Sequence, residues 1–207
     1  MASCVIFCAG DFHGLAAPIG KEDLVIAADG GLRHTQSIGC RTDLVLGDFD
    51  SLGYIPKGAE RYPVEKDDTD AMLAVRRGLD AGCRRFLLYG GMEGERVDHT
   101  LANLQTLQFL ADLGARGYLI GARQIATVIR EDSLSFPVGC SGTLSVFCMG
   151  EAAEGITLAG VKYPMENGTL TPGFPLGVSN RLLGGEARVA VKKGSLLIFY
   201  DRENGLV

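Results

Sequence analysis

The sequence lacks several features that would assign it to a membrane or nucleic-acid-binding class. No apolar run approaches the ~20 residues needed to span a bilayer. No run of Lys or Arg is longer than a pair, and 20 basic against 25 acidic residues give a formal net charge of −5. Binding to nucleic acid requires clustered positive charge that releases phosphate counterions. We therefore expect neither a membrane nor a nucleic acid as a partner.

The N-terminus also lacks the elements of a secretory signal. No Lys or Arg precedes the first apolar run, residues 4–8, and that run is too short for a signal-peptide core. None of the six cysteines forms a C-x-x-C pair, so we expect buried thiols rather than disulfides or a zinc site. These observations predict a cytoplasmic protein.

Two common phosphate-binding loops are missing, although glycine is abundant. The chain has 29 glycines in 207 residues, about twice the usual ~7%. No two of them are separated by a single residue, so G-x-G-x-x-G is absent, and so is G-x-x-x-x-G-K-[ST]. Any bound nucleotide must be held by other loops.

Hydrophobic periodicity divides the chain into two parts. Up to residue 121, short apolar runs typical of buried parallel strands lie at residues 5–8, 24–28, 44–46 and 86–89. Helical patterns lie between and after them, one capped by Asp68 or Thr69 and ending at Gly82, another running from Val97 to Gly114. This alternation predicts an α/β domain, residues 1–121, with an open doubly wound parallel sheet.

The second part, residues 122–207, shows no helical pattern. Short, often alternating apolar runs are separated by turns that contain glycine. They lie at residues 124–130, 133–138, 143–147, 155–158, 187–191 and 196–200. The pattern predicts a smaller all-β sandwich domain.

Carboxylates directly after the predicted strands are the main chemical signal. Asp29 follows the second strand, and Asp48 and Asp50 follow the third, where Gly47 and Ser51 permit the loop to turn. Ligands of open parallel sheets bind just beyond the carboxyl ends of the strands. Carboxylates gathered there repel one another unless a cation compensates, and Mg²⁺ prefers carboxylate and phosphate oxygens. With Asp70, these residues predict a magnesium–nucleotide site.

A second signal is the glycine-rich connection that begins at Gly90-Gly91. It places Arg96 and Asp98 in the first turn of a predicted helix. Free N–H groups at a helix N-terminus bind phosphate, and an arginine can add a bidentate contact. Asp98 can alternatively serve only as a favourable charge at the helix N-terminus.

These residues belong to strings that occur in the order Ala27-Ala28-Asp29-Gly30-Gly31, Gly47-Asp48-Phe49-Asp50-Ser51, Lys66-Asp67-Asp68-Thr69-Asp70, Arg96-Val97-Asp98-His99-Thr100-Leu101-Ala102-Asn103-Leu104, Gly160-Val161-Lys162-Tyr163-Pro164-Met165 and Gly177-Val178-Ser179-Asn180. In that order they resemble the motifs of the thiamine pyrophosphokinase family. The resemblance implies a homodimer of chains with an ATP- and Mg²⁺-binding α/β domain and a thiamine-binding β-sandwich. It implies transfer of the pyrophosphoryl group of ATP to the thiamine hydroxyl, which yields thiamine diphosphate and AMP.

The resemblance also implies roles for individual residues. Asp48, Asp50 and Asp70 are expected to bind Mg²⁺; Asp29, Gly30, Gly31, Lys66, Thr69 and Arg96 to contact ATP; Asp98, Ser179 and Asn180 to contact thiamine. Asp70 and Asp98 are both candidates for the base that accepts the hydroxyl proton. The chain departs from the family pattern at Glu95, where glycine is usual, and at Arg181, where an acidic residue is common. It has no tryptophan, so another aromatic side chain must stack on thiamine.

Three alternatives remain open at this level. A pyrophosphokinase acting on a pterin alcohol would use the same aspartates but would not need Gly177-Val178-Ser179-Asn180. A regulatory domain would bind Mg-nucleotide without turnover. A metal-dependent phosphohydrolase is consistent with the aspartate loops alone.

Overall fold

The computed structural model describes residues 2–94 and 96–207, which form two compact units. The first unit extends to Thr106 and includes Gly117–Ala122; the second comprises Leu107–Arg116 and Arg123–Val207. Glu95, the departure from the family glycine, lies outside the described residues. No helix in the described ranges has both the length and the apolar character needed to cross a membrane.

The first unit is built on a sheet whose core strands are parallel. Its strands are β1 (Cys4–Phe7), β2 (Leu24–Ala28), β3 (Leu44–Gly47), β4 (Glu60–Arg61), β5 (Arg85–Tyr89) and β6 (Arg116–Ile120), in the order β4-β3-β2-β1-β5-β6. The pairs β1–β2, β1–β5, β2–β3 and β3–β4 are parallel. β1 is buried along its whole length, which explains its uninterrupted apolar sequence. The predicted α/β class is confirmed.

In the described ranges, helices α1 (Leu32–Ser37) and α2 (Asp70–Asp80) belong to the first unit, and α3 (Val97–Asp112) begins in the first unit and ends in the second. α2 begins at Asp70 because the Thr69 hydroxyl oxygen accepts the Met72 N–H at 3.2 Å, an N-cap contact. The sequence left Asp68 and Thr69 as alternative caps, and the structure selects Thr69. α1 was not predicted, because six residues are too few to show a helical period.

The second unit is an antiparallel β domain, which confirms that part of the predicted class. Its strands are β7 (Gln124–Arg130), β8 (Ser133–Phe136), β9 (Ser141–Ala159), β10 (Met165–Leu170), β11 (Asn180–Leu183), β12 (Ala187–Ala190) and β13 (Lys193–Asp201). The order is β7-β13-β9-β12-β8, and β10 and β11 also pair with β9. All of these pairings with assigned register are antiparallel.

The sequence prediction was wrong about the middle of this domain. Residues 143–147 and 155–158, expected as separate strands, belong to one strand of 19 residues, β9. The first half of β9 pairs with β11 and β13, and its second half pairs with β10 and β12. Because β9 pairs with different strands along its length, it continues past Gly150, where the sequence alone suggested a turn. β10 was missed because only its two end residues, Met165 and Leu170, are apolar; β11 was missed because its four residues include a buried polar one, Asn180, and an exposed apolar one, Leu183.

Candidate functional site

A cavity of about 610 Å³ lies at the carboxyl ends of the parallel strands. Its wall is formed by residues 8–11, 28–29, 69–71, 90–91, 93–94, 99–100 and 102–103, together with Ser51 and Arg96. The loops after β2, β3 and β5, expected to share one edge, do meet there. The wall also includes the loop after β1, which the sequence had not singled out. The volume lies in the ~300–1,000 Å³ range typical of small-molecule sites.

Three carboxylates converge beside this cavity. Asp29, Asp48 and Asp70 offer oxygen atoms that all lie within 4.8 Å of one another. Asp29 is only 8% exposed, and its Oδ1 has no hydrogen-bond donor among the residues that the structure describes. A buried oxygen without a partner is costly unless a ligand satisfies it. This oxygen therefore points to a bound cation or donor.

Two glycines hold Asp29 in place. A Cβ on Gly31 would lie 1.8 Å from the Phe7 carbonyl oxygen, and one on Gly30 would lie 2.7 Å from Ser51 Oγ. Only glycine allows the short 3-10 helix Asp29–Gly31 to pack this closely against β1. Neither glycine belongs to the cavity wall, although both were expected to contact ATP. Their close contacts in the structure position Asp29, and their contact with ATP stays a prediction.

Lys66 lies within the carboxylate cluster. Its Nζ is 2.9 Å from Asp48 Oδ2 and 3.1 Å from Asp70 Oδ1, and it donates to the Pro63 carbonyl at 3.2 Å. The side chain is only 13% exposed. The structure thus pairs Lys66, expected to contact ATP, with two of the predicted metal ligands.

This arrangement shifts the ionisation of all three groups. Burial raises the pKa of the Asp70 carboxyl, and the charges of Asp48 and Asp29 raise it further against the opposing effect of Lys66. Burial opposes ionisation of Asp48 too, but hydrogen bonds from Lys66 and the Asp50 N–H outweigh it and lower that pKa. Burial would also lower the pKa of Lys66, yet its two carboxylate partners raise it overall. The cluster therefore combines one carboxylate held ionised with one that binds protons more readily than usual.

The structure does not bring the Asp50 side chain into the cluster. Asp50 is exposed, and its backbone N–H donates to Asp48 Oδ1 at 3.2 Å. The preceding residue, Phe49, has φ +66° and buries its ring against Ala27 and Leu32. The loop does turn after Gly47, as expected, but the buried Phe49 side chain separates Asp48 from Asp50. Asp50 here orients Asp48 through the backbone.

Thr69 and Arg96 line the cavity, whereas Asp98 does not belong to its wall. Asp98 lies at the start of α3, and 64% of its side chain is exposed. It forms an ion pair with Arg96, whose Nε lies 3.1 Å from Asp98 Oδ1. These hydrogen bonds from Arg96 lower the pKa of Asp98. The two predicted base candidates thus occupy different environments, Asp70 in the cluster and Asp98 on the surface.

Two polar residues of α3 hold the glycine-rich loop; both belong to the family string that begins at Arg96, but the sequence assigned them no role. Asn103 is buried and donates from Nδ2 to the Gly91 carbonyl at 2.7 Å. Thr100 donates to the Met92 carbonyl at 2.6 Å. Both line the cavity. Their spacing of three residues on one helix face was a signal in the sequence that could have identified them.

Ser179 and Asn180 lie in the second unit, where Asn180 is only 4% exposed. Its Oδ1 accepts the N–H groups of Tyr163 at 2.9 Å and Arg181 at 2.8 Å, and its Nδ2 donates to the Tyr163 carbonyl at 2.7 Å. Ser179 has φ +63°, and its N–H donates to Ser145 Oγ at 3.1 Å. The Asn180 side chain thus hydrogen-bonds the Tyr163 backbone at the start of β11, and one of its two amide hydrogens remains available to another partner.

Fold and site together define an α/β protein with an acidic crevice at the carboxyl edge of a parallel sheet, followed by an antiparallel β domain. Residues 16–116 match the family model for the thiamin pyrophosphokinase catalytic domain, and residues 132–196 match that for the thiamin pyrophosphokinase vitamin B1 binding domain. The chain belongs to the thiamin pyrophosphokinase family.

Individual relatives agree with this assignment. The chain is 29% identical over 187 residues to the thiamine pyrophosphokinase of Bacillus subtilis (strain 168), covering 86% of this chain and 87% of that protein. A crystal structure of thiamine pyrophosphokinase from Bacillus subtilis matches with a TM-score of 0.84 at 23% identity, covering 96% of this chain and 98% of that one. One from Geobacillus thermodenitrificans matches with a TM-score of 0.79 at 23% identity and 97% coverage of both chains. At 23% identity, these two structural matches support the fold alone.

Proposed function

We propose that this chain transfers the pyrophosphoryl group of ATP to the hydroxyl of thiamine, producing thiamine diphosphate and AMP. Family membership across both parts of the chain supports the reaction. The observation that carries the proposal at the level of the site is the cluster of Asp29, Asp48 and Asp70, in which two buried oxygens, Asp29 Oδ1 and Asp70 Oδ1, have no hydrogen-bond donor among the described residues.

The cluster has the chemistry of a magnesium site. Three carboxylates provide hard oxygen ligands, and Asp29 Oδ1 is a buried acceptor that a cation would satisfy. We assign Asp29, Asp48 and Asp70 as the residues that hold Mg²⁺, and Asp50 as a further candidate. Bound Mg²⁺ neutralises phosphate oxygens during phosphoryl transfer.

The cavity wall supplies groups suited to the phosphates of ATP. Arg96 is exposed and borders the cavity, so its guanidinium can turn from Asp98 to a phosphate. The Thr69 oxygen accepts the Met72 N–H, which leaves the hydroxyl hydrogen available to a phosphate oxygen. Asn103 and Thr100 hold the Gly90-Gly91 loop in the conformation that borders this space.

We assign the role of proton acceptor to Asp98. A carboxylate that holds a cation loses basicity, which disfavours Asp70 once the metal is bound. Asp98 becomes a stronger base when Arg96 turns to phosphate, because Arg96 lowers its pKa in the present arrangement. Asp98→Asn should reduce kcat without changing the Mg²⁺ requirement, whereas Asp70→Asn should raise that requirement. The opposite pattern would assign the base to Asp70.

We assign thiamine selectivity to the second unit and propose a homodimer. Ser179 and Asn180 lie in the segment between β10 and β11 and at the start of β11. Exposed apolar side chains accompany them, namely Tyr163, Phe174, Leu176, Val178 and Leu183. Where such side chains form one contiguous patch, that patch is typical of a ligand or subunit contact. Light scattering during size-exclusion chromatography tests the dimer, and a monomer at all concentrations would reject it.

The decisive experiment is incubation with ATP, Mg²⁺ and thiamine followed by identification of the products by mass. We expect AMP and thiamine diphosphate. ADP with thiamine monophosphate would reject pyrophosphoryl transfer, and phosphate release without thiamine modification would indicate a phosphohydrolase. Turnover of a pterin alcohol in place of thiamine would favour the related pyrophosphokinase, and binding of Mg-ATP without turnover would favour a regulatory domain.

A matched pair of variants tests the metal site. Asp48→Asn removes a carboxylate from the cluster, whereas Asp50→Asn removes an exposed one that contacts Asp48 only through its backbone. We expect Asp48→Asn to raise the Mg²⁺ concentration needed for half-maximal rate far more than Asp50→Asn does. Equal effects would place both side chains on the metal, as the sequence suggested.

A further inference from the structure

The ammonium of Lys66 occupies a position where a metal cation would compete with it. It contacts Asp48 Oδ2 and Asp70 Oδ1, and the Pro63 carbonyl accepts a hydrogen bond from the same nitrogen. The contacts with Asp48 and Pro63 are hydrogen bonds, whereas Asp70 Oδ1 forms an ion pair with the ammonium and has no hydrogen-bond donor among the described residues. Lys66 therefore neutralises part of the carboxylate cluster without any external ion.

The compensation is incomplete. Three carboxylates meet one ammonium, and Asp29 Oδ1 and Asp70 Oδ1 both have no hydrogen-bond donor among the described residues. The cluster thus keeps an excess of negative charge and buried acceptors that a divalent cation would satisfy. For that cation to use Asp48 and Asp70 as well, it has to displace Lys66.

We infer that Lys66 is a built-in counter-ion that keeps the cluster closed to free divalent cations and yields when nucleotide phosphates arrive. This inference rests on the proposed function for the identity of the nucleotide. Displacing Lys66 with a metal alone would leave a largely buried ammonium without its carboxylate partners, which is unfavourable. Phosphate oxygens entering with the metal would provide new acceptors for the ammonium.

The side chain is suited to such a change of partners. Lysine carries a compact charge on a flexible stem of four carbons, so the ammonium can move while the backbone stays in place. The backbone at Lys66 lies three residues before the Thr69 cap that begins α2. Metal and nucleotide would then bind in a coupled manner, each raising the affinity for the other.

The test measures binding of Mn²⁺ to the nucleotide-free protein by electron paramagnetic resonance. Mn²⁺ prefers the same oxygen ligands as Mg²⁺. Lys66→Met should bind Mn²⁺ about tenfold more tightly than the wild type, or more, because no ammonium has to be displaced. Lys57→Met is the control, since it removes the same charge from an exposed loop position and should leave Mn²⁺ affinity unchanged. Lys66→Arg retains the charge and should bind Mn²⁺ as weakly as the wild type.

Coupling to nucleotide provides a second readout. A non-hydrolysable ATP analogue should strengthen Mn²⁺ binding to the wild type, and Lys66→Met should reduce that enhancement about tenfold. If Lys66→Met folds poorly, as circular dichroism would reveal, Lys66→Gln supplies the same loss of charge with a polar side chain. Unchanged or weaker Mn²⁺ binding by the folded uncharged variant would overturn the inference, and so would failure of that variant to bind Mn²⁺.

These outcomes are separable from the proposed reaction. Wild-type formation of AMP and thiamine diphosphate together with unchanged Mn²⁺ affinity in Lys66→Met would reject the counter-ion role and retain the reaction. Tighter Mn²⁺ binding in Lys66→Met without wild-type turnover would retain the counter-ion role and reject the reaction.

Discussion

Asp29→Asn replaces one oxygen of a buried carboxylate with an amide nitrogen and leaves the size of the side chain almost unchanged. Asp29 has φ +49°, a left-handed conformation that asparagine tolerates as well as aspartate does. The backbone should therefore keep its course, and the substitution should act through charge. We expect it to stabilise the metal-free protein and to abolish most of its activity.

The magnitude follows from the geometry of the cluster. Two unit charges 4.8 Å apart repel by about 3.5 kcal/mol at an effective dielectric constant of about 20. Lys66 offsets part of this repulsion, and the new amide can donate to a neighbouring carboxylate. The weaker repulsion and the loss of a buried charged oxygen without a donor should together add about 1–3 kcal/mol to the free energy of unfolding. At about 2–4 °C per kcal/mol, the melting temperature should rise by about 2–12 °C.

Thermal and urea unfolding in EDTA measure the stability, and product formation with ATP, Mg²⁺ and thiamine measures the activity. Asp67→Asn is the matched control, because Asp67 is exposed and outside the cluster, and its effect should stay within about 0.5 kcal/mol. Asp29→Ala should gain less than Asp29→Asn, because alanine in the left-handed region costs about 1–2 kcal/mol. An Asp29→Asn protein that is no more stable and turns over normally would refute the reasoning.

Three further predictions concern other residues. Burial raises the pKa of the Asp70 carboxyl in the folded protein, so the folded chain binds that proton more tightly than the unfolded chain does. As the pH falls from about 7 to about 4, the wild type should therefore gain stability relative to Asp70→Asn, as measured by urea unfolding. Thr69→Ala removes the N-cap of α2 and should lower the free energy of unfolding by about 1 kcal/mol, measured by thermal unfolding. Thr69→Ser keeps the hydroxyl and should retain most of that stability; equal losses in the two variants would exclude the cap. Asn180→Ala leaves the partners of a buried amide unpaired and should cost about 1–3 kcal/mol of stability. It should raise the KM for thiamine by roughly 5- to 150-fold with little change in the KM for ATP, and equal weakening of both substrates would contradict the assignment.

The fold class could be predicted because burial leaves a direct mark on the sequence. Strands of the parallel sheet are buried on both faces, so β1 and β5 appear as short continuous apolar runs. The extent of β9 could not be predicted, because its continuity past Gly150 depends on partner strands that pair with it from elsewhere in the chain. Exposed strands such as β10 carry no apolar pattern, so the sequence does not reveal them either.

The candidate site was predictable only in part. Carboxylates directly after buried strands share one edge of a sheet for topological reasons, which brings Asp29 and Asp48 together without further information. The separation of Asp48 from Asp50 depends on Phe49, whose ring packs into a small core cluster that no local pattern reveals. Asp98 lies in the first turn of α3, where its side chain is exposed and forms an ion pair with Arg96.

By itself, the sequence determined the two-part architecture, the family and the loops that meet at the carboxyl edge of the sheet, because these depend on periodicity and on the order of short motifs. Only the tertiary structure decided which carboxylates converge, that Lys66 neutralises two of them, and that Asn180 is committed to the backbone at Tyr163. Those outcomes depend on distances of a few ångströms between residues from different elements. Such distances are set by packing, for example by the close approach of Gly31 to β1, and packing is a property of the folded chain.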